Sequence, residues 1–468
     1  MNRFTVLVLA LLGFQIAGVD SALHGADRPN LLLILADDLG WADLPCYGNR
    51  FHETPVIDRL AREGMRFTQF YSAAVCSPTR ANIQSGRHEA RYGITQHIPG
   101  HRRPFAKLKD PAVPLQLPLE VETIAERLGA AGYATGYFGK WHLGGQGYGP
   151  EDQGWQTAFE CQKHELAPSL TGLDSPVRTA GYLSDRALEF MARHRDGPFL
   201  VQVSHYAVHI PLTSEPGLVA KYEQREKVPP YPSRADYAAL VEELDASVGR
   251  LLDGLSALGL AENTLVAFVS DNGGLVHDQG GSIYTSNAPL RSEKGTLYEG
   301  GIRVPAIFRF PGKIPEGTEC AVPAGTMDLA ATFLEFAGVA LPKGPEALDG
   351  VSLVPLLRGS VSDWKRDTLF WHLPHYHHST PASVVRQGDW KLIEFFEEGT
   401  LELYDLSKDP AESNNLAFDY PERVTELHAV LEKWRTDAGA RLPVPNPDYD
   451  PARANELAGG KGKRRGSE

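Results

Sequence analysis

The chain has 468 residues, 42% of them hydrophobic and 22% charged, with 46 glycines and 34 prolines. This composition is typical of a soluble, core-forming protein with many turns, and it excludes collagen-like and mostly disordered classes. The 59 acidic residues outnumber the 46 basic ones, and the net charge of −13 excludes a global attraction for nucleic acid or an anionic membrane.

The first residues have the features of a secretory signal peptide. A short basic start precedes an apolar run over residues 4–14, which is too short to span a bilayer. We therefore expect residues 1–22 to be a signal peptide, cleaved between Gly18 and Ala26. The mature chain is then expected to be secreted or periplasmic, without a membrane span. The sequence contains no Asn-x-Ser/Thr acceptor site, which favours a bacterial source.

Helical and strand patterns alternate through the first 340 residues. The apolar run 31–36 predicts a strand buried on both faces. Thr54 and Pro55 predict a helix start, with the Thr54 hydroxyl as N-cap and Gly64 as the stop. Further helices are predicted over 120–131, 181–194 and 235–258, and further strands over 133–138, 198–206 and 265–270. This alternation predicts an α/β fold with a large, mostly parallel mixed sheet flanked by helices, which binds ligands at the carboxyl ends of its strands.

The pattern changes after about residue 360. Antiparallel strands are predicted over 383–396 and 401–406, followed by an amphipathic helix over 421–438. We assign residues 23–360 to the main domain and 361–441 to a small C-terminal α+β subdomain with an antiparallel sheet. Residues 442–468 are rich in Pro, Asn and Asp, and we expect them to form a flexible tail.

Paired oxygen side chains follow two of the predicted strands. Asp37-Asp38 comes after the first strand and Asp271-Asn272 after the strand 265–270. If the two pairs converge, their carboxylates repel one another unless a cation neutralises them, and an all-oxygen set suits Ca²⁺ or Mg²⁺. The alternative is that each pair forms a helix cap or a turn.

A basic segment over residues 80–109 is a candidate anion site. It has a single acidic residue, Glu89, among seven basic ones: Arg80, Arg87, Arg91, Arg102, Arg103, Lys107 and Lys109. The alternative is a solvated basic loop. The four cysteines allow at most two disulfide bridges, and the sequence does not determine how Cys46, Cys161 and Cys320 pair.

The run Cys76-Ser77-Pro78-Thr79-Arg80 precedes a predicted helix and resembles the signature of the type I sulfatases, which are arylsulfatase-like members of the alkaline phosphatase superfamily. In that family the cysteine is oxidised to Cα-formylglycine by a formylglycine-generating or equivalent maturation enzyme. The hydrated aldehyde then supplies the nucleophilic oxygen. Without the resemblance, a single cysteine of this kind is a structural residue or half of a bridge.

Other blocks resemble the same family in the same order, and the resemblance runs from about residue 28 to residue 440. The blocks are Gly139-Lys140-Trp141-His142-Leu143-Gly144, residues 205–211 with His209, residues 292–305 with Lys294, and residues 403–416 near the end. One departure is Val208, which stands where a proline is frequent.

The resemblance implies a set of site residues. The implied metal ligands are Asp37, Asp38, Asp271, Asn272 and the modified residue 76, holding Ca²⁺ or, as an alternative, Mg²⁺. Arg80 is implied to orient the aldehyde hydrate. Lys140, Lys294 and His209 are implied to contact the sulfate or the leaving oxygen, with His209 as the proton donor and Lys294 as the alternative. His142 is implied to help break down a covalent sulfate intermediate.

The segment 371–378 combines four histidines with two aromatic residues, and we expect it to supply a substrate rim through His372, His375 and His377. Aromatic and imidazole groups are typical of sugar sites, so a sulfated carbohydrate is the expected substrate, with Arg87, Arg91, Arg102 and Arg103 as candidates for binding further anionic groups. The alternative is a structural connection between the two domains.

Two other functions stay open. One is a phosphodiesterase or phosphonate monoester hydrolase of the same superfamily, and the other is a non-catalytic binder of sulfated glycans. The sequence does not determine the sugar, the sulfated position, endo or exo action, or the oligomeric state.

Overall fold

A computed structural model of the chain describes residues 28–277 and 281–458. The predicted signal peptide, residues 1–22, and the last ten residues of the predicted tail lie outside the described residues. Among the helices of the described part, none combines the length and the apolar character that crossing a bilayer requires.

The described elements alternate between strands and helices up to about residue 340. The strands are β1 Asn30–Ala36, β2 Met65–Tyr71, β3 Leu108–Lys109, β4 Ala134–Gly139, β5 Thr157–Glu160, β6 Glu165–Leu166, β7 Val177–Arg178, β8 Phe199–Ser204, β9 Thr264–Ser270, β10 Arg303–Arg309, β11 Thr318–Cys320, β12 Ala324–Gly325, β13 Thr368–Leu373, β14 Ala382–Gln387, β15 Trp390–Phe395, β16 Thr400–Asp405 and β17 Val444–Pro445. The helices are α1 Pro55–Arg62, α2 Cys76–Ser85, α3 Ile124–Ala130, α4 Pro168–Thr171, α5 Thr179–Arg193, α6 Pro216–Glu223, α7 Ala235–Ala257, α8 Glu299–Ile302, α9 Asp328–Phe336, α10 Val354–Leu357 and α11 Pro421–Ala438.

The main sheet is mixed and mostly parallel, as predicted. Its strand order is β11-β2-β10-β9-β1-β8-β4-β5, and β12 also pairs with β2. The five strands from β9 to β5 in this order run parallel. Strand β10 is antiparallel to both of its neighbours, so β2 runs in the same direction as β9.

Strand β1 lies at the centre of the sheet and is buried on both faces. Leu31, Leu33 and Leu35 pack into the core that includes side chains of α2, α3 and α9. The alternating residues, including Leu32 and Ile34, pack into the opposite core with α5 and α7. An unbroken apolar run fits this position because side chains on a strand alternate between faces that are both covered.

The predicted N-cap of α1 is wrong. The helix begins at Pro55 as expected, but the Thr54 hydroxyl donates to Asp58 Oδ1 at 3.4 Å. The first-turn amides of Val56 and Ile57 instead donate to the carboxylate of Asp245 on α7, at 3.2 and 2.7 Å. A tertiary contact therefore supplies the capping acceptor that the sequence pattern assigned to the local hydroxyl.

The C-terminal unit has an antiparallel four-stranded sheet in the order β13-β14-β15-β16. One face packs against α11 through Val385, Leu392, Leu403, Leu427 and Leu431. The opposite face packs against the main domain in a cluster that contains Tyr71, Leu297 and Ile302. Two buried faces explain why this sheet needs both the helix and the main domain.

The predicted flexible tail is wrong for residues 442–458. Strand β17 pairs with β3, and the Asn446 side chain donates to the carbonyls of Pro104 and Ala106 at 2.9 and 2.7 Å. The guanidinium of Arg453 lies 3.4 Å from the ring centroid of Phe105. These contacts attach the segment to residues 102–109. The four cysteines are all free thiols, so the structure contains no bridge among Cys46, Cys161 and Cys320.

Candidate active site

Five strands of the main sheet direct polar residues to one edge. Since β9, β1, β8 and β4 are consecutive parallel strands, the residues that follow them meet at the same edge. Backbone hydrogen bonds fix this edge: Asp271 N donates to Ala36 O at 3.1 Å, and Asp37 N donates to Ala207 O at 2.9 Å. Strand β2 runs in the same direction, so the segment after it, with Cys76, arrives at the same place.

Cys76 is the first residue of α2, a helix in which all ten residues are buried. Ahead of the helix, Ala73 N donates to Thr79 Oγ1 at 2.9 Å, which folds the approaching segment against the first turn. The thiol is only 2% exposed. Burial raises the pKa of Cys76, so the unmodified side chain is a neutral thiol and a weak nucleophile.

Asp37 is held by two cations. Its Oδ2 accepts from Lys140 Nζ at 2.5 Å and lies 3.7 Å from Arg80 Nη2. Arg80 also donates through Nη1 to the Lys140 carbonyl at 2.5 Å. The two basic residues and the carboxylate are therefore positioned by one another.

Asp38 sits in a positive φ conformation of 63°, which few non-glycine residues adopt. Its Oδ1 accepts from Lys294 Nζ at 2.5 Å and from Asn272 Nδ2 at 2.8 Å, and its Oδ2 lies 3.7 Å from His209 Nε2. Burial alone raises the pKa of Asp38, but Lys294, His209 and Lys140 together hold it well below its usual range. The Asp38 carboxylate is therefore ionised.

Asp271 makes different contacts. Its Oδ2 accepts from Arg80 Nε and Nη2 at 3.0 and 2.7 Å, and its Oδ1 accepts from Asp38 N at 3.2 Å. Burial and the nearby Asp37 carboxylate raise the pKa of Asp271. The charges of Arg80 and Lys140 oppose this shift.

The donor set fits a hard cation. Three buried oxygens in the cluster have no hydrogen-bond partner: Asp37 Oδ1, Asp38 Oδ2 and Asn272 Oδ1. One ligand atom each from Asp37, Asp38 and His209 lie within 4.8 Å of one another. Because buried acceptors are normally satisfied, this group of free oxygens is what a Ca²⁺ or Mg²⁺ site requires.

His142 faces Cys76 with an unprotonated nitrogen. Its Nε2 is 2.6 Å from the carbonyl of Ile98, which can only accept, so Nε2 carries the proton. Nδ1 then presents its lone pair to Cys76 Sγ at 3.2 Å. Burial, with a contribution from Lys140, lowers the pKa of His142 to about 4, so the ring is a neutral base at pH 7.

His209 carries its proton on the side away from the acidic cluster. Its Nδ1 donates to the Ile210 carbonyl at 2.6 Å, which leaves Nε2 without a proton in the neutral ring. Burial lowers the pKa of His209 to about 3, although Asp38 opposes this shift. The Lys294 ammonium, in contrast, keeps its protons because Asp38 holds its pKa above the usual range despite burial.

Four of these groups, namely Cys76, His142, His209 and Lys294, line a pocket of about 460 Å³. The predicted site residue His377 also lines the pocket. The remaining lining residues were not predicted from the sequence, and they are His97, Ile98, His101, Ile210, Leu275, His277 and His378. The only sequence signal for the unpredicted histidines at 97 and 101 is their position shortly after the cysteine helix.

Of the three residues predicted to form the substrate rim, only His377 lines this pocket. His372 is buried, and its two ring nitrogens contact Ser383 Oγ at 2.6 Å and the Arg441 carbonyl at 2.9 Å, so it connects elements and does not reach the pocket. His375 is also buried, and its Nε2 contacts Thr95 Oγ1 at 2.8 Å. Both imidazoles therefore make their hydrogen bonds within the fold.

The basic residues of the segment 80–109 lie in different surroundings. Arg91 pairs with Asp349 at 2.6 Å and Arg87 with Glu346 at 3.3 Å, so both neutralise carboxylates of the same chain. Arg102, Arg103 and Lys109 instead line a groove of about 540 Å³ that shares His101 with the pocket. Of the four arginines predicted to bind further anionic groups, only Arg102 and Arg103 line this groove.

Comparisons with known proteins give consistent matches. The sulfatase family model matches residues 29–339, and the model of the C-terminal part of N-sulphoglucosamine sulphohydrolase matches residues 292–437. A sulfatase of Formosa agariphila is 32% identical, covering 93% of this chain and 94% of the relative. Human arylsulfatase A is 33% identical, covering 85% of each chain.

The structural comparisons agree. The structure of Ps i-CgsB in complex with k-i-k-neocarrahexaose has a TM-score of 0.75 and 25% identity, and it covers 90% of this chain and 94% of that one. A protein solved in complex with D-glucosamine-2-N,6-O-disulfate has a TM-score of 0.69 at 22% identity, with 90% and 99% coverage, which shows a shared fold. The predicted alkaline phosphatase-like fold is thereby confirmed.

Proposed function

Because this chain belongs to the sulfatase family and is a sulfuric ester hydrolase, we propose that it cleaves sulfate monoesters of carbohydrates, on a polysaccharide or glycosaminoglycan fragment. The observation that carries the proposal is the arrangement of Cys76 in the pocket. Its side chain lies 3.2 Å from a neutral imidazole, and the charges of Lys140, Lys294, Asp271 and Asp37 are close enough to influence its pKa.

A divalent cation is part of this proposal. Asp37, Asp38, Asp271 and Asn272 would hold it, with Ca²⁺ favoured and Mg²⁺ as the alternative. The ion, when bound, would draw negative charge from the sulfate oxygens and so favour attack on sulfur. The unpartnered oxygens support the assignment for the first, second and fourth of these residues. Asp271 would contribute either directly or by holding Arg80.

Residue 76 is proposed to act as Cα-formylglycine, produced by a maturation enzyme. As its hydrate, this group supplies the oxygen nucleophile that a buried neutral thiol does not. His142 Nδ1, which faces the side chain of residue 76, is the base that takes a proton from it. The Ile98 carbonyl keeps the His142 ring in the tautomer that this role needs.

Lys140 and Lys294 are proposed to hold the sulfate group. Both ammonium groups lie at the edge of the acidic cluster, and positive charge fixed there stabilises oxygens that gain charge as the ester bond breaks. For the proton of the leaving oxygen we now favour Lys294 over His209. The Lys294 ammonium carries its protons into the pocket, whereas the neutral His209 ring has none on the nitrogen that faces the cluster.

Carbohydrate as the substrate class rests on the pocket and on a relative. The pocket wall is rich in imidazoles, which donate and accept hydrogen bonds with sugar hydroxyls. The similar structure of Ps i-CgsB was solved with a neocarrahexaose bound. We also propose that residues 1–22 direct export and that 23–360 form the catalytic domain, which N-terminal sequencing of the mature protein and activity of truncated chains would check.

The decisive experiment combines mass spectrometry with a choice of substrates. Protein is produced together with a formylglycine-generating enzyme, and the tryptic peptide 67–80 is examined for the aldehyde at residue 76. The same protein is assayed on an aryl sulfate, on an aryl phosphate diester and on defined sulfated mono- and disaccharides. Cys76→Ala tests the nucleophile, and Cys320→Ala is the matched control because it removes a buried thiol elsewhere.

We expect the aldehyde in the wild type, sulfate turnover in the wild type and in Cys320→Ala, and no turnover in Cys76→Ala. A clear preference for the phosphate diester would indicate the phosphodiesterase alternative. A peptide that contains only thiol, combined with glycan binding that survives in Cys76→Ala, would indicate a non-catalytic binder.

A further inference from the structure

Three histidines form a cluster on the pocket wall, outside the group of acidic residues. One ring nitrogen each from His97, His101 and His377 lie within 4.8 Å of one another. The His97 and His101 ring centroids are 4.5 Å apart, and the His101 and His377 centroids are 4.9 Å apart. None of the three residues takes part in the proposed cleavage of the sulfate ester.

The rings are set up as ligands. His97 Nδ1 donates to Gln96 Oε1 at 3.0 Å, so its Nε2 presents a lone pair. His101 makes no side-chain hydrogen bond among the described residues, and its ring is part-exposed. His377 is 8% exposed, and its Nδ1 is buried without any hydrogen-bond partner. His377 Nδ1 lies against Gly295, where an added Cβ would be 1.8 Å away, so Nε2 is the nitrogen of this ring that is available to a ligand.

The surroundings keep these rings neutral, which is the form that binds metals. Burial lowers the pKa of His97 to about 2, and the neighbouring His101 adds to this effect. Burial also lowers the pKa values of His101 and His377. Two basic residues near the histidines donate their hydrogen bonds elsewhere. Lys294 donates to Asp38, and Arg103 donates to the carbonyl of His377 at 3.1 Å.

We infer that His97, His101 and His377 form a second metal site, one for a borderline transition-metal cation such as Zn²⁺. Three neutral imidazoles suit Zn²⁺, Co²⁺, Ni²⁺ or Cu²⁺, whereas Ca²⁺ and Mg²⁺ prefer oxygen. The Gln96 amide supplies the outer hydrogen bond that typically orients a metal-binding histidine.

Three protein ligands would leave one coordination position open, and all three histidines line the pocket that contains residue 76. An ion in this site would therefore occupy space needed by the substrate. We expect micromolar Zn²⁺ to inhibit sulfate hydrolysis competitively, and the inhibition to be lost when the cluster is broken.

The test is Co²⁺ binding in a Cys76→Ala background, on untagged full-length protein with Ca²⁺ in large excess. This background removes the thiol as a possible ligand and makes the result independent of catalysis. Co²⁺ with imidazole ligands in a four- or five-coordinate site absorbs strongly in the visible range, and Zn²⁺ should displace it. We expect one equivalent of Co²⁺ to bind per protein chain.

Variants locate the site. His97→Ala and His101→Ala, each added to the background, should weaken Co²⁺ binding by more than about tenfold, since even the loss of an outer hydrogen bond costs about 10–100-fold. His194→Ala, which removes a histidine at the end of α5, and Asp271→Asn, in the acidic cluster, should leave the spectrum unchanged. Thermal unfolding checks that each variant is folded.

Two results would overturn the inference. One is a Cys76→Ala protein that binds no Co²⁺ under these conditions, a result that depends on no cluster variant. The other is a spectrum that persists in both cluster variants or disappears in Asp271→Asn, because the ion would then be in the acidic cluster.

Discussion

Lys391, Glu299 and Glu412 form a buried ionisable cluster between the C-terminal sheet and the main domain. We expect this cluster to make the folding stability of the chain depend on pH. Lys391 Nζ lies 2.9 Å from Glu299 Oε1 and 2.7 Å from Glu412 Oε1, and all three side chains are fully buried. Arg303 and the Tyr71 hydroxyl also contact Glu299, so this carboxylate stays ionised. Glu412 has Lys391 as its cationic partner, and its Oε2 accepts from Glu299 N at 2.7 Å.

The size of the effect follows from the pKa of Glu412. Burial raises this pKa from 4.5 to about 7, since the charge of Glu299 adds to the effect and Lys391 only partly opposes it. Between pH 4.5 and 7 the folded chain therefore binds more protons than the unfolded chain. The free energy of unfolding should fall by about 3 kcal/mol as the pH rises through this interval, at about 1.4 kcal/mol per pKa unit.

The assay compares wild type with Glu412→Gln by urea unfolding at pH 5, 6, 7 and 8. Glutamine has the shape of the protonated acid but cannot ionise. The variant should gain stability relative to the wild type by about 2–3 kcal/mol as the pH rises from 5 to 8, since pH 5 already lies above the unfolded-state pKa of 4.5. Glu319→Gln, at an exposed position, controls for the loss of one charge.

A difference between wild type and Glu412→Gln that does not change with pH would refute this reasoning. A wild type that gains stability relative to the variant as the pH rises would refute it equally, since the sign of the linkage would then be reversed. Using the difference between two proteins removes the contribution of groups that both share, including the acidic cluster.

Three further predictions concern the pocket. Asp271→Asn should abolish sulfate turnover while retaining the fold, as measured by kinetics and circular dichroism, because the amide oxygen still accepts from Arg80; wild-type turnover in this variant, or in chelator-treated enzyme, would contradict a metal-assisted reaction. His142→Ala should lower kcat by about 10²–10⁴-fold, and a kcat close to that of the wild type would exclude the base role. Gly295→Ala should lower the melting temperature and impair substrate binding. Gly295 has a φ of 77°, and an added Cβ would lie 1.8 Å from His377 Nδ1. An unchanged KM would show that the His377 ring can move without affecting substrate binding.

The sequence predicts the parts of the fold that depend on local pattern. Strands β1 and β9 are continuous apolar runs because both of their faces are covered, and this pattern is unambiguous. Strand β10 was not predicted because Pro305 interrupts it, and the structure places this proline at a shift in the strand register. Proline lacks the donor that a regular strand needs, so only the tertiary arrangement reveals the strand.

The same limit applies to the site. The positions of Asp37 and Asp271 follow from the rule that parallel strands end at one edge. His97 and His101 belong to an irregular segment whose path is set by distant contacts, so no periodicity predicts where their rings point. His372 and His377 show the difference within one short run: the first is inside β13, whereas the second follows the end of the strand and reaches the pocket.

The pairing of β17 with β3 has a practical consequence for anyone preparing this enzyme. Asn446 and Ala106 are 340 positions apart, yet one side-chain hydrogen bond between them helps to hold the wall of the groove beside the pocket. A sample cleaved by a protease after Arg441 would keep its acidic cluster and its cysteine. It would lose the covalent connection to the segment 442–458, which contacts residues 102–109. If sulfated polysaccharides are the substrates, as proposed, such a sample should act on them less well than the intact chain, so the intact mass should be checked before polymer substrates are compared.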